Sequence, residues 1–324
     1  MQGAVIWSTA TIRATRDLTP SVRLFEIAPE DGAAAWAPGS HIDVLVTLNG
    51  TPSTRSYSLV GEPDAAVYRI AVKREEHGRG GSRYMHALEP GARLRVSSPR
   101  NLFPLGFGRP SYLLIAGGIG ITPISSMAFS LARHGANVRL VYAARSQADM
   151  ALVPELKAVL GDRLALFASN EGNRLDVAAE IARLPADAEA YLCGPLSLLD
   201  AARAAWSRAG RAATGLRYET FANSGSHAPE PFRVQVPRHG LDILVPEDKS
   251  LLDALTEAGV EVMSECRRGE CGLCALDVVS VEGTIDHRDV FLSAHEKAAG
   301  RKVCACVSRV VGGGLVLDSA FRPD

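Results

Sequence analysis

Cysteine placement constrains this chain more than any other feature of its sequence. Five of the six cysteines lie beyond residue 265, and three of them stand within nine residues, in the stretch CRRGECGLC. These three are Cys266, Cys271 and Cys274, and the later segment KVCACVSR adds Cys304 and Cys306. Thiolates are soft ligands suited to iron–sulfur clusters. The C-terminal part therefore has to fold so that a tight loop and a later segment bring sulfur atoms together.

The spacing of the first three cysteines favours a [2Fe-2S] cluster. C-x4-C-x2-C is a plant-type pattern, and Gly269 and Gly272 would let the backbone pass close to a cluster. A zinc site or unliganded buried cysteines are the alternatives, but zinc motifs normally pair two C-x2-C units, and one stands here. The fourth ligand is Cys304 or Cys306. Spacing favours Cys304, because the 29 residues between Cys274 and Cys304 are the usual gap in plant-type ferredoxins.

Length, charge and the N-terminal sequence bound the remaining possibilities. A chain of 324 residues with 47% hydrophobic content predicts two or three domains. Its net charge of −1 argues against a nucleic-acid or polybasic membrane-surface partner. No apolar run reaches bilayer length, and the N-terminus lacks a basic-then-apolar signal pattern. We therefore expect a cytoplasmic protein with no membrane partner.

Residues 1–106 predict an antiparallel β-barrel. HIDVLVTL (41–48) places alternate apolar residues on one face, as do YRIAVKR (68–74) and the short LRV (94–96). Turn signals such as APGS, NGTP and EPGA separate these stretches. Several short alternating strands with almost no helical period indicate a small barrel.

Residues 107–223 predict an α/β domain with a parallel sheet. Apolar strands (SYLLIAGG, VRLVYAA and AEAYLC) alternate with helices. Thr122 is the predicted N-cap of the first helix, with Pro123 at its first position and Gly135 at its end. The glycine turn GGIGITP lies at the carboxyl end of a strand, which is where open α/β sheets bind ligands.

A polar stretch separates this domain from the cysteine-bearing one. Residues 224–231, within NSGSHAPEP, have the composition of a linker. Residues 232–324 follow as the third domain, in which FRVQV and LDILV predict a hairpin. SLLDALTEAG predicts a short helix capped by Ser250.

Taken in order, the motifs RSYSL, GRGGS, GGIGITP, CGP, C-x4-C-x2-C and CVSR resemble those of the phthalate dioxygenase reductase family, which includes the vanillate O-demethylase reductases. The resemblance covers nearly the whole chain. It implies two domains similar to ferredoxin–NADP reductases, followed by a plant-type α+β ferredoxin domain of the β-grasp type. It also implies Cys306 as the fourth ligand, because the family's ligand directly precedes the V-S-R found at 307–309.

The resemblance implies a flavin site on RSYSL and GRGGS. Tyr57 would stack on the isoalloxazine, Ser58 would lie near its reactive N5 edge, and Arg55 would meet the phosphate. The compact glycine turn favours FMN, with FAD as the alternative. The complete implied flavin set is Arg55, Ser56, Tyr57, Ser58, Val72, Lys73, Gly80, Gly81 and Ser82.

A nicotinamide site is implied at the glycine turn and at CGP. NADH is the predicted donor, since most family members use it, although Arg145 can also accept the 2′-phosphate of NADPH. Phe221, in YETFANS, is implied as a ring near the flavin. The implied nucleotide set is Gly117, Gly118, Thr122, Arg145, Cys193, Gly194 and Pro195, and the groups implied at the electron-transfer path are Ser58, Cys193 and Glu219.

These parts predict an NADH-dependent oxidoreductase that passes electrons from flavin to cluster to a partner protein. The implied partner is a Rieske non-haem iron oxygenase acting on an aromatic acid, and the chain is expected to be a monomer. Arg267, Arg268 and Glu270 offer charges for docking around the cysteine loop, and a solvated loop without a docking role is the equal alternative. The alternatives are a reductase for a cytochrome oxygenase or a separate ferredoxin, a non-catalytic flavin and iron–sulfur sensor, and a ferredoxin-like scaffold without flavin.

Overall fold

The computed structural model describes residues 5–48, 50–76, 80–221, 225 and 227–318. The chain divides into two compact units, Met1–Glu219 and Thr220–Asp324. No helix among the described residues is long and apolar enough to cross a bilayer. Short 3-10 turns join several elements, at Gly118–Gly120, Gln147–Asp149, Gly161–Arg163, Ser169–Glu171, Ala213–Gly215 and Pro237–His239.

The first unit begins with an antiparallel sheet that curls into a barrel. Its strand order is β4-β3-β6-β1-β2-β5, with β7 paired to β3. An isolated bridge between Leu59 and Ile70 links the two outer strands, so the predicted barrel is confirmed. The short helix α1 (Gly81–His86) packs on it, and the strands are β1 (Trp7–Asp17), β2 (Val22–Pro29), β3 (Ser40–Leu48), β4 (Thr51–Ser58), β5 (Tyr68–Lys73), β6 (Arg93–Ser97) and β7 (Arg100–Asn101).

Alternation builds the barrel core as the sequence predicts. Ile42, Val44 and Val46 on β3 are completely buried. Ile70 on β5 meets them in one apolar cluster, to which β1 and β2 also contribute. Each buried aliphatic side chain contributes about 1.5–3 kcal/mol of transfer free energy, so the buried face fixes the strand register.

A parallel sheet forms the rest of the first unit, as predicted. Its order is β10-β9-β8-β11-β12. Strands β9 and β10 therefore lie on one side of β8, and β11 and β12 lie on the other, so the strand order reverses between β8 and β11. The strands are β8 (Tyr112–Gly117), β9 (Val138–Ala144), β10 (Leu164–Ala168), β11 (Glu189–Cys193) and β12 (Leu216–Glu219), and the helices are α2 (Ile121–Arg133), α3 (Val153–Leu160), α4 (Val177–Ala182) and α5 (Leu196–Arg208).

The start of α2 differs from the prediction. The helix begins at Ile121 directly after a 3-10 turn, and Gly120 occupies the N-cap position without a side-chain bond. Thr122 is the second helical residue, and its hydroxyl donates to the carbonyl oxygen of Ile119 at 3.0 Å. The predicted Thr122 cap is therefore wrong, because the glycine turn already carries the backbone into helical geometry. Gly135 lies just beyond the helix with φ of 68°, as predicted.

The second unit is built on a mixed sheet in the order β14-β13-β17-β15-β16. The predicted hairpin is confirmed, since β13 and β14 pair antiparallel. The Ser250 hydroxyl caps α6 by accepting the N–H of Asp253 at 3.1 Å. The elements are β13 (Phe232–Val236), β14 (Leu241–Val245), α6 (Leu251–Glu257), β15 (Ala275–Asp286), α7 (Ala294–Ala299), β16 (Lys302–Cys304) and β17 (Arg309–Asp318).

The predicted linker 224–231 lies partly outside the described residues, at positions 224 and 226. Two buried arginines bond to its described carbonyls. Arg288 donates to the oxygen of His227, and Arg309 donates to that of Glu230, each at 3.0 Å. This end of the linker is thus attached to the second unit. The domain boundaries themselves stay predictions.

Candidate cofactor sites

Two glycine-bearing turns meet at the carboxyl ends of β8 and β11. A Cβ on Gly120 would lie 2.1 Å from the carbonyl oxygen of Cys193, and one on Gly117 would lie 2.6 Å from Cδ of Pro195. Only glycine permits this approach. Because β8 and β11 are neighbours at the point where the strand order reverses, the turns line the crevice in which α/β sheets bind ligands.

Gly118 leaves space on that crevice. Its φ is 55°, and no atom lies within 4 Å of the position that a Cβ would take. Such a gap allows a ligand to approach the backbone N–H groups that precede α2.

Arg145 directly follows β9 and is exposed, and its carbonyl accepts the N–H of Asn170 at 2.9 Å.

Cys193 and Glu219 are register partners on neighbouring parallel strands. Both are almost completely buried, at 0% and 1% exposure. The structure therefore brings together these two groups of the predicted electron-transfer path. Ser58 is buried at the end of β4 in the other sheet, where its backbone pairs with His41 of β3.

The RSYSL strand presents two faces. Arg55 and Tyr57 lie on one face of β4, and Ser56 and Ser58 lie on the other. Burial raises the pKa of the Tyr57 phenol, so the ring stays neutral and offers an apolar surface. The Ser56 hydroxyl instead donates to Oδ1 of Asp43 at 2.5 Å. The structure does not place the Ser56 side chain beside those of Arg55 and Tyr57.

Asp43 is a residue that sequence reasoning missed. Its carboxylate is buried and also accepts a hydrogen bond from Nη2 of Arg100, with 2.5 Å between Arg100 Nη2 and Asp43 Oδ2. Its own N–H donates to the Ser97 hydroxyl at 2.8 Å. This network fixes the register of β4 through Ser56. No local pattern marks it, because the partners come from three separate strands.

The glycine turn before α1 lies against Arg55. A Cβ on Gly81 would fall 2.7 Å from Nε and 2.8 Å from Cγ of Arg55, so the stem of this side chain crosses the first residue of the helix. Nη1 of Arg55 donates to the Ser53 hydroxyl at 2.6 Å and to the Thr54 carbonyl oxygen at 2.8 Å. Gly80 precedes it with φ of 82°. This combination of a guanidinium and free helix N–H groups suits a phosphate. The first two residues of the GRGGS motif, at 78 and 79, lie outside the described residues.

Three further predicted flavin residues surround this turn. The Ser82 hydroxyl accepts the N–H of Glu75 at 3.0 Å. Val72 is buried, and Lys73 at the end of β5 pairs with Glu75 at 2.8 Å. The structure thus places a hydroxyl and an ammonium group on the segments that flank Gly81.

The cysteine loop is arranged for thiolate ligands. The N–H groups of Arg268, Glu270 and Cys271 all point at Sγ of Cys266, at 3.3–3.4 Å. Burial raises the pKa of Cys266, and these N–H groups oppose that effect. Such donors stabilise negative charge on a ligating sulfur. Gly272 has φ of 74°, and a Cβ there would strike the Phe291 ring at 2.3 Å, so packing as well as conformation requires glycine.

The cysteines form two groups. Cys266 and Cys271 share one hydrogen bond, and Cys274 accepts hydrogen bonds from Cys304 and Cys306. These thiols lower the pKa of Cys274 to about 3, and the same interaction raises the pKa of both donors. Among the described residues no group of His, Cys, Asp or Glu is arranged for a single metal ion. Two cysteine groups fit a two-iron cluster, in which each iron takes two thiolates.

The surroundings of Cys304 and Cys306 differ. The two do not share a strand, because β16 ends at Cys304 and the chain then turns, with the N–H of Ser308 donating to the Cys304 carbonyl at 3.0 Å. The N–H of Gly269, inside the cysteine loop, donates to the sulfur of Cys306. Cys304 is fully buried. The loop contact supports Cys306 as the fourth ligand, which stays a prediction.

Two of the three charged side chains on the loop are too buried for the docking role considered from the sequence. Arg267 pairs with Asp253. The side chains of Arg268 and Glu270 are only 12% and 18% exposed and lie 3.6 Å apart. Burial and pairing argue against Arg268 and Glu270 as docking charges. Phe221 is 36% exposed just after Thr220, which begins the second unit.

Comparisons with known proteins agree with this geometry. Residues 234–311 match the family model of the 2Fe-2S iron-sulfur cluster binding domain, and residues 114–204 match that of the oxidoreductase NAD-binding domain. The chain is 39% identical to the heme-dependent oxidative N-demethylase beta subunit of Ectopseudomonas mendocina, over 95% of this chain and 97% of the relative. It is 40% identical to a putative toluene-4-sulfonate monooxygenase system reductase subunit of Comamonas testosteroni, over 95% and 98%.

One solved structure resembles the whole chain. Phthalate dioxygenase reductase, described as a modular structure for electron transfer from pyridine nucleotides to [2Fe-2S], matches with a TM-score of 0.79 and 32% identity. The match covers 96% of this chain and 98% of that one. The chain belongs to the phthalate dioxygenase reductase family. The present chain is an electron-transfer oxidoreductase that uses NADH, a flavin and a [2Fe-2S] cluster.

Proposed function

We propose that the chain is the reductase of a two-component Rieske non-haem iron oxygenase that acts on an aromatic acid. One observation supports this proposal most: a single chain contains both of the required sites. Two glycine-bearing turns meet where the strand order of the parallel sheet reverses, and backbone N–H groups of the cysteine loop point at a cysteine sulfur. The first suits a dinucleotide and the second a one-electron centre. A flavin accepts a hydride and gives up electrons singly, so it connects the two.

Roles for this chain's residues follow from their positions. The turn residues Gly117, Gly118, Gly194 and Pro195 would bind the nucleotide, and Cys193 and Glu219 would lie on the path of the transferred hydride and electrons. Arg55 and the Gly81 turn would receive the flavin phosphate, and FMN is the proposed flavin, with FAD as the alternative. The remaining assignments are proposed as the sequence implies them: Ser56, Tyr57, Ser58, Val72, Lys73, Gly80, Ser82, Thr122, Arg145 and Phe221 at the flavin and nucleotide, and Cys266, Cys271, Cys274 and Cys306 at the cluster.

The organisation proposed is a flavin domain at 1–106, a nucleotide domain at 107–223, a linker at 224–231 and a ferredoxin domain at 232–324. A cytoplasmic monomer is proposed as the working form.

Anaerobic stopped-flow spectroscopy tests the function. NADH should bleach the flavin, then the cluster, and a purified Rieske oxygenase should then be reduced in a mixing step. Flavin and cluster absorbance that do not respond to NADH would instead identify a sensor. Acid release and chromatography of the flavin separate FMN from FAD.

A haem oxygenase is the second candidate partner. The relative from Ectopseudomonas mendocina, which is 39% identical over nearly its full length, is the beta subunit of a heme-dependent N-demethylase. Offering the reduced protein a Rieske oxygenase and a haem oxygenase in parallel distinguishes the two. Faster reduction of the haem protein would overturn the first proposal while leaving the path from NADH to the cluster intact.

A further inference from the structure

Glu270 joins the cysteine loop to Thr220, the first residue of the second unit. Its Oε1 accepts two hydrogen bonds, from the backbone N–H of Thr220 at 2.6 Å and from the Thr220 hydroxyl at 3.1 Å. The same hydroxyl lies 3.4 Å from the carbonyl oxygen of Arg268. All three residues belong to the second unit.

This connection is sheltered from solvent. Thr220 is 1% exposed, and the Glu270 side chain is 18% exposed. A carboxylate that accepts two donors forms short, charge-assisted bonds, and low solvent exposure strengthens them. The contact is therefore a fixed attachment of the loop.

The backbone of Glu270 makes the complementary contact. Its N–H donates to Sγ of Cys266 at 3.3 Å, and the next residue is Cys271. One residue thus holds a ligand sulfur with its main chain and Thr220 with its side chain. Thr220 is covalently bonded to Glu219, which ends β12 beside Cys193.

We propose that Glu270 is a positioning residue for electron transfer from the flavin to the cluster. Within the second unit it ties the ligand loop to Thr220, the residue that follows Glu219 in the chain. The inference rests on the proposed function, because it assumes that electrons pass from the first unit to the cluster. Holding a donor and an acceptor in one geometry is worth up to about 100-fold in rate for an ångström of displacement.

Glu270→Ala and Glu270→Gln form the decisive pair. Both variants remove the negative charge, so any change of cluster potential caused by that charge is common to both. Gln keeps an oxygen acceptor for Thr220, whereas Ala keeps none. Glu261→Ala is the matched control, because Glu261 is an exposed acidic residue upstream of the loop.

Three measurements are made on the full-length holoprotein. They are the rate of flavin reduction by NADH, the rate of the following cluster reduction, and hydrogen exchange at the Thr220 amide. Glu270→Ala should leave flavin reduction unchanged, slow cluster reduction by about tenfold or more, and speed amide exchange. Glu270→Gln and Glu261→Ala should stay within about threefold of wild type in every measurement. Unchanged cluster reduction in Glu270→Ala, or equal slowing in Ala and Gln, overturns the proposal.

Thr220→Val is the second variant, and it tests the proposal if the Glu270→Ala protein does not assemble a cluster. It removes the hydroxyl bond, keeps the backbone bond and leaves the loop sequence intact. A normal cluster spectrum with slower cluster reduction supports the proposal, and a wild-type rate overturns it. If instead the proposed function is wrong, the wild-type protein itself will not pass electrons from NADH to its cluster, so the two failures are distinguishable.

Discussion

Gly120→Ala tests the close approach of the glycine turn before α2 to the end of β11 at Cys193. The new Cβ would lie 2.1 Å from the carbonyl oxygen of Cys193 and 2.5 Å from its carbonyl carbon. Both contacts are with backbone, which cannot rotate away as a side chain can. Backbone strain does not contribute, because Gly120 has φ of −59°, which alanine readily adopts.

The magnitude follows from the geometry. The turn and the end of β11 must separate by about 1 Å, and overpacking of this kind costs about 1–3 kcal/mol or somewhat more. Contact with rigid backbone places Gly120→Ala near 3 kcal/mol. For a unit of this size each kcal/mol lowers the melting temperature by about 2–4 °C, so we expect a fall of about 6–12 °C.

Thermal and denaturant unfolding of the full-length protein provide the assay, with Gly118→Ala as the control. Gly118 has φ of 55° and open space at its Cβ position, so alanine there meets no atom and costs about 1–2 kcal/mol of backbone strain. NADH affinity should weaken in both variants. The reasoning is refuted if Gly120→Ala is no less stable than Gly118→Ala.

Cys306→Ser should abolish the cluster, seen as loss of iron and of the reduced-state EPR signal, whereas Cys304→Ser should retain both; the reverse result would assign the fourth ligand to Cys304. Hydrogen bonds from Arg139 lower the pKa of Glu180, so Glu180→Gln should cost about 1–3 kcal/mol at neutral pH. That loss should disappear as pH falls below 4.5 and through the lowered pKa, because Glu180 is then protonated in both the folded and the unfolded state. A loss of stability that does not change with pH would contradict the ion pair. Arg55→Ala should reduce bound flavin after purification, and full flavin content would exclude the phosphate role.

Regular patterns made much of the fold predictable. Strand β3 follows its alternation because Ile42, Val44 and Val46 face one core. Strand β1 was not predicted, because only Ala10 and Ile12 are buried in it and its pairing register shifts after Ile12. A strand with few buried positions and a bulge gives no clear period-two signal.

Contacts between distant residues were beyond sequence reasoning. Glu270 and Thr220 are separated by 50 positions, so nothing local distinguishes a bonded carboxylate from a docking charge. Sequence reasoning likewise could not distinguish the surroundings of Cys304 from those of Cys306. Alternation treats them as equivalent, and only the turn that begins after Cys304 gives them different neighbours.

The paired glycine turns also determine when a nucleotide site can exist. Residues 117–120 and 193–195 meet only after β11 has inserted beside β8, yet β9 and β10 lie between them in the chain. A growing polypeptide that has reached β10 can complete one side of the sheet and still lack half of the crevice. Closing so long a loop is entropically costly and slow. A nucleotide that needs both turns can therefore bind only after β11 has paired with β8, and its binding stabilises that pairing.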